Sequence, residues 1–216
     1  MALPFEVTHD LPGWSLFWAL LESRTDDGQA LAELRRETAE RARRRYRSET
    51  LATEPAVAEL RRLFRAAGTD PTRYRPSSEA LIRRLLKGGE LPGIHPLVDL
   101  NNCLSVELPA PACVMDARRV APPFELRAGR EDEHYESLKG PFRLGGRPLL
   151  VDARGPCDAP ITGSARVKVG PETDRAWLVA YLPAESLDGE RAEELLAELL
   201  RRAPVAEAVE VGTSTD

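Results

Sequence analysis

The chain has 216 residues, 42% of them hydrophobic and 30% charged, with a formal net charge of −5 at pH 7. That size and balance predict one globular domain with room for an added helical lobe, and they exclude a disordered chain. No run approaches the roughly 18 apolar residues of a membrane helix, and the N-terminus lacks a signal peptide's basic start and small-residue cleavage site, so a cytoplasmic protein without a membrane partner is expected.

In chain order, the good helix formers from Trp14 to about Tyr46 predict a helix, interrupted near Thr25 to Gly28. A second helix fits Glu54 to Ala67, with Val57, Leu60 and Phe64 on one face and Gly68 as its stop. After the loop "GTDPTRYRP", the run "SSEALIRRLLKGG" predicts a third helix. Ser77 or Ser78 would cap it, Leu81, Ile82, Leu85 and Leu86 would form its apolar stripe, and Gly88-Gly89 would end it. Beyond Asp116, "FELRAG", "HYESLKG", "RPLLVDARG", "SARVKVG" and "RAWLVAYLP" are short apolar and alternating runs between Gly and Pro, the pattern of antiparallel or mixed strands. A last helix, "DGERAEELLAELLRRA", carries Leu195, Leu196, Leu199 and Leu200 on one side and ends before Pro204. Helices first, strands next and a closing helix predict an α+β fold. The expected division is a helical segment over 1–72, a mixed-sheet domain over 73–203 and a frayed tail over 204–216.

Several chemistries have no support in this chain. It contains no GxxxxGK[ST], GxGxxG, GxSxG or HExxH. Cys103, Cys113 and Cys157 are odd in number and lack CxxC or CxxH spacing, which argues for reduced thiols and against a disulfide framework or a metal site. His9, His95 and His134 have no Ser or Cys partner nearby in sequence. Charge is unevenly spread. Between Arg35 and Arg47 seven arginines stand against two glutamates, while from Glu185 onward nine acidic residues stand against three basic ones. A local basic cluster can meet phosphates on an acidic protein because screening is short-ranged; it can equally be a solvated helix face with Glu–Arg pairs one turn apart.

The densest polar signal lies in "LPGIHPLVDLNNCLSVELPAPACVMD", residues 91–116, which places an Asp, two Asn, a Glu and two Cys on a stretch that otherwise reads as core. Each polar group buried there needs a partner or costs roughly 1–3 kcal/mol. Together with the preceding helix, the stretch resembles the B3/B4 domain, the editing and tRNA-contacting module of the bacterial phenylalanyl-tRNA synthetase β subunit, and more closely the free-standing B3/4 proteins. The synthetase run has the form VDxTNxxxxExxxPxHxxD, and Val98-Asp99, Asn102, Glu107, Pro111 and Asp116 meet it without a gap. Further on, "LLVDARGP" is similar to the family's central strand, and "APITGSARVKVGPETDRAWLVAYLP" to its closing segment. The likeness runs over about Tyr74 to Pro183 and implies a mixed sheet with flanking helices and no cofactor.

The resemblance implies a substrate pocket at Asn101, Asn102, Cys113, Thr162 and Ser164, with Asp99, Glu107 and Asp116 as structural members of the motif. Arg75, Arg83 and Arg84, joined by Arg43 and Arg44, are the candidates for contact with tRNA or aminoacyl-tRNA. Catalytic residues are not assigned, because three features depart from the family. Cys113 stands where the motif has His and Asn101 where it has Thr, and no acidic residue near Trp177 to Tyr181 replaces the one in the family's closing segment. Cys113 is open to three readings: nucleophile, pocket lining or core. Two functions follow, hydrolysis of mischarged aminoacyl-tRNA in trans, or a non-catalytic module that binds RNA or an amino acid.

Overall fold

The computed structural model describes residues 5–24 and 28–215. The run "WSLFWALLES" does not become the predicted helix: Trp14–Ser23 is a strand, β2, and the first helix, α1, spans Gln29–Arg45. Residues 25–27 of the expected interruption lie outside the described residues. β2 pairs antiparallel with β9 (Arg175–Pro183) on one side and with β10 (Ala206–Thr215) on the other. A strand covered on both faces carries apolar residues at every position, so its period of two disappears and its Leu and Ala content imitates a helix. Two further expectations fall with it. The first segment is not a separate helical lobe, and the tail is not frayed, because β10 adds an edge strand to the sheet that β2 centres.

That sheet has the order β10-β2-β9-β3, with β3 at Ala112–Asp116. Its alternation becomes visible in three dimensions. Phe17, Ala19 and Leu21 of β2 pack with Leu34 of α1, Leu100 of α4 (Pro96–Glu107) and Leu196 of α5 (Gly189–Arg202). Trp14, Leu16 and Leu20 turn the other way, onto Leu60, Leu63 and Phe64 of α2 (Pro55–Ala66) and onto Leu126 and Leu150. Leu126 and Leu150 belong to a second sheet of order β1-β4-β7-β8, formed by Val7–His9, Phe124–Ala128, Pro148–Asp152 and Gly155–Asp158. β1 runs parallel to β4 and the other pairings are antiparallel, so the sheet is mixed. His134–Ser137 (β5) and Gly140–Arg143 (β6) form a separate hairpin. Helices, one sheet and a second sheet thus stack as layers around two apolar interfaces, an α+β architecture.

The second and third predicted helices form close to their expected limits. α2 buries Val57, Leu60 and Phe64, and Gly68 ends it at φ +92°, a backbone state that side-chain-bearing residues avoid. α3 spans Ser77–Leu86 and buries Ile82 and Leu85. Neither serine caps it. The N-cap is Pro76, and Ser78 Oγ donates instead to the carbonyl of Pro109 at 3.3 Å, tying α3 to the turn after α4. "SARVKVG" is also a correction. Outside an isolated bridge from Ser164 to Ser137 it is a loop, anchored by the Arg166 guanidinium, which donates to Asp152 at 2.9 and 3.1 Å.

Candidate functional site

Between α4, the outer edge of β3, the loop after β8 and the loop before β9 lies a cavity of about 530 Å³. Asn101, Asn102, Cys113, Thr162 and Ser164, drawn from two distant stretches of sequence, all line it. The reason is topological. β3 is the sheet's outer strand, so no strand pairs with its second edge; α4 crosses beside it and the carbonyl of Val167 accepts from Asp116 N at 2.9 Å. Asn101 joins the two elements: Nδ2 donates to the carbonyl of Ala112 at 3.1 Å. That bond fixes the amide's orientation, since the opposite one would set two acceptors against each other. Its Oδ1 is consequently buried with no donor from the protein, on a residue 5% exposed. Ile94 and Leu138, apolar yet 67% and 64% exposed, belong to the same cavity's lining.

The motif's acidic residues are joined to the scaffold. Asp99 Oδ1 accepts from the backbone N–H of Ile94 at 2.9 Å, and its other oxygen lies 3.4 Å from Arg35. Placed in the first turn of α4, it also complements that helix's positive end. Glu107 accepts from Arg41 Nε at 2.7 Å. Asp116 accepts from Arg118 N at 2.9 Å and Thr173 Oγ1 at 2.8 Å. Burial pushes Asp116 up, but these hydrogen bonds outweigh it and hold the carboxyl below its ordinary value. His95, which sequence reasoning left without a role, caps α4: its Nδ1 accepts from Leu97 N at 3.3 Å.

Two further side chains of this cavity escaped sequence reasoning. Asp158, at the end of β8, is 1% exposed and accepts from Tyr181 Oη at 2.6 Å and from the Cys113 thiol. Burial raises its pKa from 3.8 to about 6, against the opposing pull of those donors. Burial and the Asp158 charge push the thiol of Cys113 well above its ordinary range, and burial does the same to Cys157 and takes Cys103 to about 12. Cys113 therefore lines the cavity as a protonated donor, without the thiolate a nucleophile requires. At pH 8 all three cysteines of the folded protein are expected to react with iodoacetamide at least tenfold more slowly than in urea. Rapid native-state labelling of Cys113, followed by mass spectrometry, would contradict that assignment. A residue signal for Asp158 did exist: a carboxylate beside Cys157 in an otherwise apolar strand-end run, facing a tyrosine whose hydroxyl must find a partner in the core. What sequence could not supply was their pairing across 23 positions. A carboxylate thus reaches the tyrosine of β9 from β8.

The arginines divide into two kinds. Arg43 of α1 donates to the carbonyls of Leu85 and Gly89 at 3.1 and 2.7 Å, joining the basic end of α1 to the basic end of α3. Arg83 and Arg75 lie 2.8 and 3.7 Å from the fully buried carboxylate of Glu79. Arg44 stands 3.9 Å from Glu40, and Arg84 is exposed beside Arg75, Arg83 and Lys87. The joined helix ends form one basic face. Ser77, at the other end of α3, lines the cavity, about 10 Å along the helix axis from Arg84 at 1.5 Å per residue. Among the described residues no three His, Cys, Asp or Glu sit together as metal ligands, and no helix is long and apolar enough to cross a membrane.

With this geometry in view, residues 59–193 match the family model of the B3/4 domain. The chain belongs to the B3/4 domain family. The matched B3/4 region contains α3, α4 and every cavity-lining element, whereas β2 and β10, two strands of the sheet beneath it, fall outside. Comparison with curated proteins found no match. Among solved structures, this B3/4 chain is similar to an N-terminal fragment of the phenylalanyl-tRNA synthetase β subunit from Pyrococcus horikoshii, with 13% identity and a TM-score of 0.48. The alignment takes in 99% of this chain and 56% of that fragment, so the chain spans just over half of the fragment's length.

Proposed function

We propose that this B3/4 protein binds the aminoacyl end of a charged tRNA in the cavity and hydrolyses the ester in trans. The observation that carries the reading is the convergence of Asn101, Asn102, Cys113, Thr162 and Ser164 on one cavity. The basic face formed by α1 and α3 supports it, since a nucleic-acid backbone there would enter beside the cavity rather than across the molecule. Ester hydrolysis needs a positioned water and stabilisation of a developing oxyanion more than it needs a covalent nucleophile. The Thr162 and Ser164 hydroxyls in the cavity wall are the candidates to orient that water. The acyl group would lie along the β3 edge, with Thr162 and Ser164 near its carbonyl.

Deacylation of a panel of correctly and wrongly charged tRNAs tests this directly. Selective release of one amino acid is expected, falling at least tenfold in Asn101→Ala while Cys113→Ala keeps most of the rate. Release no faster than the spontaneous rate for every pair would overturn the catalytic reading. One observation favours the alternative, a non-catalytic RNA-binding or amino-acid-binding module: burial and the Asp158 charge hold the Cys113 thiol protonated. In that case tRNA would bind, weakening steeply as salt rises, without deacylation.

A further inference from the structure

Two acceptors in the same cavity wall have no cationic partner among the described residues, although the exposed Lys168 belongs to the same lining. Asn101 Oδ1 has no donor, and its orientation is fixed by the bond from Nδ2 to Ala112. The Asp158 carboxylate forms no ion pair among the described residues. Its hydrogen bonds come from neutral donors, Tyr181 Oη at 2.6 Å, the Cys113 thiol and the backbone N–H of Ala159. Buried carboxylates are ordinarily paired with a cation or hydrogen-bonded into neutrality. The neighbouring loop keeps a path to this one. Gly163 lines the cavity with no side chain, and a methyl group there would sit 3.0 Å from Asp158 Oδ1. Much of the remaining wall, such as Ala112, Val114, Ala159 and Val167, is apolar and offers no competing polar contact from its side chains.

We infer that the cavity selects its ligand by a protonated primary amine, seated between the Asp158 carboxylate and the Asn101 amide oxygen. An ammonium group supplies three donors and one positive charge, which completes both acceptors at once. A hydroxyl or a neutral amide would satisfy Asn101 and leave the carboxylate uncompensated. The inference rests on the reading of the cavity as a ligand site and sharpens it. An aminoacyl group with a free amine would be admitted, and one with a blocked amine refused. The amine can come from the α position or from a basic side chain, and the two sources are separable by experiment.

The test is calorimetric binding at pH 7 of a panel of amino-acid amides against their Nα-acetylated counterparts, with Nα-acetyl-lysine amide as a probe carrying only the side-chain amine. Free-amine probes are expected to bind at least tenfold more tightly than acetylated ones, and the preference should vanish in Asp158→Asn and in Gly163→Ala. Tight binding of Nα-acetyl-lysine amide would assign the seat to a side-chain ammonium, and its failure beside tight α-amine probes would assign it to the α position. Equal binding of blocked and free amines, persistence of the preference in folded Asp158→Asn, or no binding of any amine at 10 mM would overturn the inference. Deacylation is read separately: amine-selective binding without ester release defeats the hydrolase reading alone, and equal release of blocked and free aminoacyl-tRNA defeats the amine seat alone.

Discussion

Replacing Glu79 with alanine is expected to cost about 4 kcal/mol of folding stability, within the roughly 3–5 kcal/mol seen when one partner of a buried ion pair is removed. The carboxylate is fully buried on α3, and its oxygens lie 2.9 Å from Arg61 Nη1 and 2.8 Å from Arg83 Nε, with Arg75 at 3.7 Å. Arg61 belongs to α2 and is itself largely buried, so the carboxylate binds two helices together. Alanine would leave that guanidinium without a counter-charge in a place it cannot readily leave. A domain has on the order of 5–15 kcal/mol in total, so the loss approaches the limit of folding. Urea denaturation followed by circular dichroism measures it. Glu79→Gln, which preserves volume and one acceptor, should lose less than alanine does. A cost under about 1 kcal/mol for alanine would show that the cluster is solvated and that α2 and α3 are held by their apolar faces alone.

Asp158→Asn is expected to change the pH dependence of stability in the opposite sense to most carboxylate substitutions. The folded pKa of Asp158 is raised from 3.8 to about 6. Between those two values the unfolded chain has released this proton while the folded chain keeps it, so the folded state binds more protons and stability falls as pH rises. The contribution is complete below about pH 4 and lost above about pH 6; about two pKa units correspond to about 3 kcal/mol. Asparagine cannot ionise. The stability of the wild type minus that of Asp158→Asn should therefore decline by about 3 kcal/mol from pH 4 to pH 7.5, and other titrating groups cancel in the difference. A difference that stays constant across that range would mean that the carboxylate is solvated in the folded protein. The same measurement bears on function, because a charge that costs stability when the cavity is empty is available to a cationic ligand when it is filled.

Much of this protein was readable from its residues alone. The apolar stripe of α2, the glycine that ends it, the leucine face of α5 and the strand at Phe124–Ala128 each follow from local periodicity, which the tertiary structure leaves in place. The spacing from Asp99 to Asp116 also located the cavity's first half, because α4 and β3 are joined by a short turn and their residues meet within one unit of local structure. Other features depended on the rest of the chain. Trp14–Ser23 is a strand because β9 and β10 flank it and apolar layers cover both its faces, a condition that removes the alternation by which strands are recognised. Asp158 meets Tyr181 and Cys113 because β8, β9 and β3 bring separate stretches to one cavity. Its raised pKa comes from burial, which no local pattern specifies. The sequence by itself determined the helix faces, the turn glycines and the motif of α4, since these depend on neighbours a few residues apart. The tertiary structure decided which apolar runs became central strands and which polar groups lost their water, because burial depends on the whole chain.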